Sequence, residues 1–226
     1  NQCRKFALHA DLPSARHQRP MRFRLFIFDF DGTLADSGPW MIEAFSKASE
    51  RFGLRQFDRD EIEALRERDN RTIMREVGVR WWQLPQLAAY VRRLADEAEP
   101  PPLFEGVAPM LRALHASGAT LAIVSSNTES TIRRALGPEY ATLIHAFACN
   151  AAMFGKAAKF RQVLRQTGVS AAEAIAIGDE TRDIEAARKA RIACGAVRWG
   201  YASAGILAAN SPDFMFETPA DIIAMR

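Results

Sequence analysis

Phe26-Ile27-Phe28-Asp29-Phe30-Asp31-Gly32-Thr33 places two carboxylates two residues apart at the end of an apolar strand, with a Gly-Thr turn directly behind them. Residues two apart in a strand point to the same face, so both acids are expected in one small space where the chain leaves the sheet. At a separation of about 4 Å and an effective dielectric of about 20 such a pair repels by roughly 4 kcal/mol. A nearby cation or a shared proton is the usual relief. Asp-Gly is also a common loop pair, and on this run alone an ordinary strand-to-loop exit is the competing reading.

Working outward, short apolar runs alternate with amphipathic stretches after residue 100, the pattern of a parallel sheet covered by helices. Strands are predicted over 24–28, 120–124, 174–177 and 193–197, with a weaker one over 146–149. Helices over 107–116 and 156–166 stop near Gly118 and Gly168, as the glycine C-cap rule expects. Between the first strand and Gly106 the strand signals vanish. A helix over 39–51 has Ser37 or Gly38 near its N-cap, Pro39 in its first turn and Gly53 after its end. Another begins at Asp58, and two more cover 70–77 and 84–98, with Trp81 and Trp82 in the connection between them. Glu99-Pro100-Pro101-Pro102 then reads as a stiff linker. The expected division is a core of residues 21–36 and 104–226 interrupted by a helical unit over 37–103.

The 226 residues are enough for one large α/β domain with a smaller companion, and the apolar and charged fractions of 48% and 25% are those of a soluble globular chain. No apolar stretch approaches the length of a membrane span. The net charge of +3 is carried by residues 1–20, where Arg4, Lys5, Arg16 and Arg19 face only Asp11. The remainder is neutral and offers no electrostatic footprint for nucleic acid. The first twenty residues read as a disordered basic tail or extension ahead of Met21. Cys3, Cys149 and Cys194 are odd in number and widely spaced, which points to a reducing, cytoplasmic compartment rather than a disulfide framework.

Ligands of parallel α/β sheets gather at the carboxyl ends of the strands, so the polar residues just after each strand carry the weight. Ser125, with Ser126 and Asn127, follows the second strand, where hydroxyls and free backbone N–H groups suit an oxyanion. A plain helix N-cap is the alternative there, a job Thr128 could share. Lys156 opens a helix, against the helix dipole, so a site that needs positive charge explains it better than propensity. Gly178-Asp179-Glu180-Thr181-Arg182-Asp183 follows the next strand, with Asp179 at the strand tip and Asp183 four residues on, expected on the same helix face.

In this order these motifs resemble the haloacid dehalogenase superfamily, and the resemblance covers residues 22–205. The helical insertion after the first motif is similar to the small helical cap of phosphoglycolate-phosphatase-like and β-phosphoglucomutase-like members. The resemblance implies an α/β fold with a Rossmann-like three-layer core, a mainly parallel sheet and a cap. It also implies a Mg²⁺-dependent phosphatase that hydrolyses a small phosphomonoester through an aspartyl-phosphate. Asp29 is then the nucleophile and Asp31 the acid and base. Asp29, the backbone carbonyl of Asp31 and Asp179 hold the metal, while Ser125, Ser126, Asn127 and Lys156 hold the phosphate. Thr33 fixes the turn that aims Asp31, and Asp183 orients a metal water or Lys156. Dehalogenating members lack the acid at position 31, so dehalogenation is not expected. Mutase-like transfer between sugar hydroxyls and a non-catalytic module that binds a phosphorylated ligand are the alternatives. The partner is a small phosphorylated metabolite.

Arg68 and Arg71, in a turn between two helices of the insertion, are the candidates for substrate choice, since arginine forks suit carboxylate or phosphate oxygens. Trp40 is a further candidate for the pocket wall, while Trp81 and Trp82 are read as packing or interface residues. Two positions depart from the family pattern. Ala157 stands where proline commonly follows the lysine, and Arg191 stands where glycine commonly ends the last helix. Arginine carries a conformational cost in the left-handed geometry expected there.

Overall fold

The computed structural model describes residues 23–151 and 155–225; the expected tail over residues 1–20 lies outside them. The elements run β1 (Leu25–Phe28), α1 (Gly38–Phe52), α2 (Arg59–Leu65), α3 (Asn70–Val77), α4 (Leu84–Glu97), α5 (Val107–Ala116), β2 (Thr120–Val124), α6 (Glu129–Ala141) and β3 (Ala146–Ala148). They continue through α7 (Lys156–Thr167), β4 (Ala174–Gly178), α8 (Thr181–Ala190), β5 (Ala193–Val197), α9 (Ala204–Ala209), β6 (Phe214–Phe216) and α10 (Pro219–Ile223). Every predicted strand forms. The short elements β6, α9 and α10 have no counterpart in the sequence reading, because three to six residues are too few to display a period.

Among the described residues the sheet has six parallel strands in the order β3-β2-β1-β4-β5-β6. Strand alternation divides the core into two layers. Phe26, Phe28, Leu121, Ile123, Ile175 and Ile177 face Met110, Leu111 and Leu114 of α5 and Ile132 of α6. Leu25, Ile27, Ala122, Val124, Ala174 and Ala176 face Phe160 and Val163 of α7 and Ile184 and Ala187 of α8. With apolar layers on both sides, β1 is buried along its whole length, and its exit lies at the centre of the carboxyl edge, between those of β2 and β4.

Helices α1 to α4 are inserted between β1 and α5. The two connecting segments run against each other: the Asp36 amide donates to Pro102 O at 2.8 Å, and the Phe104 amide to Leu34 O at 3.0 Å. Arg134 of α6 closes the C-terminal end of α4, donating to the carbonyls of Ala95 (3.2 Å), Asp96 (3.0 Å) and Ala98 (2.9 Å). These are carbonyls that a helix end leaves without internal partners. Trp81 and Trp82 are surface residues rather than packing residues, 78% and 55% exposed and set edge to face. Arg191 adopts the left-handed geometry expected at the end of α8, with φ 61°.

Candidate active site

The two acids of the opening run part company once the strand ends. β1 stops at Phe28, so strand alternation no longer governs Asp29 and Asp31. Asp29 is buried and turns toward the β4 exit, where one of its carboxylate oxygens lies within 4.8 Å of one oxygen each of Asp179 and Asp183. The crowded carboxylates are therefore these three, and the Asp31 side chain is not one of them. Asp31 has its own donors. Ser37 Oγ donates to its Oδ1 at 2.7 Å and Asn127 Nδ2 to its Oδ2 at 2.8 Å.

Lys156 supplies the cation that the crowding requires. Its Nζ is 2.5 Å from Asp183 Oδ1 and is bonded to Asp29 Oδ2, and all three side chains are buried. The position at the first residue of α7 follows from this site rather than from helix preference. Although burial opposes its charge, Asp183 and Asp29 together hold the Lys156 ammonium above its ordinary pKa. Burial outweighs the lysine at Asp29, whose pKa is raised to about 7, with Asp183 adding to the rise. Burial also raises Asp179 well above its ordinary value, followed by the charges of Glu180, Asp29 and Asp183. Asp31 is raised by burial as well, against the Ser37 hydrogen bond.

Asp179 and Asp183 meet differently from the shared helix face expected of them. α8 begins only at Thr181, with Glu180 as its N-cap, so Asp179 stands before the helix at the tip of β4. Asp183 looks back toward it and accepts the Glu180 amide on Oδ2 at 3.2 Å. Thr33, expected to fix the turn that aims Asp31, donates its amide to Phe30 O at 3.3 Å within that turn and its Oγ1 to Asp179 Oδ1 at 2.9 Å. Gly32 makes that approach possible: its φ is +68°, and an added Cβ would stand on the Asp179 carboxylate.

Ser125 is fully buried at the end of β2, and its Oγ accepts the Asn127 amide at 3.1 Å. The helix-capping alternative for it does not hold, because Thr128 caps α6 through the Thr131 amide. Ser126 lies beside it, half-buried, while the Asn127 side-chain amide is already spent on Asp31.

A second group of residues at the site went unread in the sequence. Ser37 and Tyr201 share a 2.8 Å hydroxyl contact, and the Tyr201 amide donates to Asp179 Oδ2 at 2.8 Å. Trp199 Nε1 donates to Thr33 O at 3.0 Å, and Gly200 passes so close that an added Cβ would lie 2.5 Å from Gly32 O. The turn after β5 is thus pinned against the turn after β1. Its only sequence signal is the Trp199-Gly200-Tyr201 cluster directly following a predicted strand. Arg182, paired with Glu180, is a further cation at the site, and Glu180 also accepts from Asn70 of the insertion at 3.2 Å.

A cavity of about 430 Å³ opens between the insertion and the core, with Tyr201, Gly200 and Glu180 on its inner wall. Arg68 lines it, as do Met41, Ile42 and Phe45 of α1. Arg71 and Trp40 are not among its walls, and Arg71 lies 4.0 Å from Glu185 of α8 instead.

Three buried carboxylates beside one buried lysine leave negative charge in surplus, and carboxylate oxygens are the ligands that hard divalent cations prefer. The residues present therefore fit such an ion. Among the described residues no helix is long and apolar enough to cross a membrane.

Residues 26–197 match the family model described as haloacid dehalogenase-like hydrolase. A phosphoglycolate phosphatase of Synechococcus elongatus is 34% identical over 199 residues, covering 87% of this chain and 94% of that protein. A phosphoglycolate phosphatase of Xanthomonas campestris is 28% identical over 197 residues, covering 80% of this chain and 86% of that one. In fold, a haloacid dehalogenase-like family hydrolase from Streptococcus pneumoniae superposes with a TM-score of 0.74 at 22% identity, over 90% of this chain and 98% of that one.

Proposed function

Because the chain belongs to the haloacid dehalogenase-like hydrolase family, we propose that it is a phosphatase that hydrolyses a small phosphomonoester through a phosphoaspartyl intermediate on Asp29. The observation that carries this reading is the buried Lys156 bridging Asp29 and Asp183 beside Asp179. A cation buried between two acids, with a third acid next to them, adds little stability that a well-packed apolar cluster would not also supply, so a chemical role explains it better.

Asp29 attacks phosphorus in line, forming the Asp29–phosphorus bond as the bond to the leaving oxygen breaks. The Phe30 amide, donating to Asp29 Oδ1 at 2.7 Å, and Lys156 on Oδ2 hold the carboxylate for that attack. The Asp31 carboxyl passes its proton to the leaving oxygen, so the alcohol departs neutral. It then takes a proton from the water that attacks phosphorus and releases Asp29. Ser125 and the amides around Ser126 and Asn127 receive the phosphoryl oxygens, and Lys156 offsets the charge that gathers there. Asp29, Asp179 and the backbone carbonyl of Asp31 would hold Mg²⁺, with Asp183 steadying Lys156. When bound, the ion supplies positive charge that favours ionised Asp29 and Asp179 and offsets the charge of the phosphoryl group.

The 37–103 insertion acts as the cap, and the group carried by the phosphate enters beneath it, where Arg68 offers the fork for an acidic substrate such as phosphoglycolate. Phosphate release from a panel of phosphorylated metabolites at equal concentration, with and without Mg²⁺, tests this. Metal-dependent turnover with phosphoglycolate among the best substrates is the expected result. Equal rates for wild type and Asp29→Asn would contradict the enzyme reading.

A further inference from the structure

Tyr201 touches three parts of the molecule with three different atoms. Its amide donates to Asp179 Oδ2 at 2.8 Å, its carbonyl accepts Arg66 Nε from the helical insertion at 2.9 Å, and its hydroxyl lies 2.8 Å from Ser37 Oγ. Arg66 also donates to the neighbouring Gly200 carbonyl at 3.3 Å, so the Tyr201 backbone is held from the core on one side and from the insertion on the other.

Ser37 stands at the N-cap of α1, where a serine hydroxyl ordinarily accepts a helix amide. Here it makes no such bond. The side chain is 1% exposed, and its one hydrogen is given to Asp31 Oδ1 at 2.7 Å. The Tyr201 hydroxyl must then be the donor in the 2.8 Å contact, which orders the bonds Tyr201 to Ser37 to Asp31. Asn127 fixes the other carboxyl oxygen, so the plane of the Asp31 carboxyl is determined on both sides.

We propose that Tyr201 is a positioning residue that sets the Asp31 carboxyl, through the Ser37 hydroxyl, for proton transfer to the leaving oxygen. The proposal rests on the reading of Asp31 as the acid and base given above. Its chemistry is limited to orientation. Tyr201 exchanges no proton with substrate, and the proton that leaves Asp31 is the one that neutralises the departing alkoxide as the phosphorus–oxygen bond breaks. An acid that is misplaced is felt most where the leaving group needs its proton most.

The test is therefore a comparison of leaving groups. Tyr201→Phe keeps the ring and both backbone bonds and removes only the hydroxyl. With Mg²⁺ present, kcat is measured on a simple alkyl phosphate, whose alkoxide needs a proton, and on p-nitrophenyl phosphate, whose phenolate needs little help. The expected result is a loss of about tenfold on the alkyl ester, several times larger than the loss on the aryl ester, with KM for both changed by less than about twofold. Ser37→Ala is expected to show the same bias more strongly, and Ser37→Thr, which keeps the hydroxyl, to recover most of the alkyl rate. Equal losses on the two esters in both Tyr201→Phe and Ser37→Ala, or no loss in either, would overturn the proposal. If wild type hydrolyses neither ester, the phosphatase reading falls and this inference with it. If wild type hydrolyses both and the bias is absent, only the positioning role is lost.

Discussion

Lys156 is the residue on which the largest stability consequence rests, because it is buried with Asp29 and Asp183 as its partners. Replacing it by methionine leaves two buried acids without their cation, a change that typically costs about 3–5 kcal/mol. Urea unfolding of Lys156→Met is expected to show a loss of that order, and a loss below about 1 kcal/mol would mean that the acids find another partner. Arg191 carries a cost of the opposite kind. Its φ of 61° is a conformation glycine takes freely, so Arg191→Gly is expected to raise stability by about 1 kcal/mol in the same assay. Asp29, Ser125 and Asp179 were legible in the sequence because each directly follows a strand of a parallel sheet, Lys156 because it opens a helix against the dipole, and Asp183 because it closes the run that begins with Asp179. Ser37 and Tyr201 were not. A serine before a proline-led helix reads as a cap, and only the fold shows that its hydroxyl points the other way.

At the scale of elements, the helical insertion is joined to the core at several points with different chemistry. Asp36 and Phe104 pair the two connecting segments, Arg134 closes the end of α4, and Arg66 reaches the turn after β5. Arg134 is exposed, so the value of its bonds is modest. Arg134→Ala is expected to lower stability by about 1 kcal/mol and to speed proteolysis within residues 84–104, with cleavage sites read by mass spectrometry. The long helices and the central strands were legible from period and glycine punctuation. β6 was not, since Phe214-Met215-Phe216 is too short to alternate visibly, and it becomes a strand only through pairing with β5. The Asp179–Asp183 relation differs from the expected shared helix face for a related reason. It depends on where a strand stops and a helix starts, to within one or two residues, the least legible property of a sequence.

For the molecule as a whole, the surplus of buried acid sets how stability responds to pH. Asp29 has a pKa of about 7 in the fold against an ordinary 3.8, and burial raises Asp31 and Asp179 in the same direction. A raised acid binds its proton more tightly folded than unfolded, so between about pH 4 and pH 7 these groups make the metal-free protein less stable as pH rises. The raised pKa of Lys156 leaves its contribution constant through that window, because the ammonium is charged in both states. In urea melts over this range the protein kept in chelator is expected to lose stability toward neutral pH, and the protein in excess Mg²⁺ to lose much less. Identical pH dependence with and without the ion would speak against the carboxylate cluster as its site.

The role of Asp29 as carrier of the phosphoryl group in a metal-dependent hydrolysis is tested most directly by phosphate release from p-nitrophenyl phosphate and phosphoglycolate by wild type and Asp29→Asn, each in Mg²⁺ and in chelator. The expected result for that role is turnover by wild type only with the ion, and a fall of about 10³-fold or more in Asp29→Asn, as when a covalent nucleophile is lost. Turnover by Asp29→Asn at the wild-type rate, or wild-type turnover indifferent to the ion, would contradict it.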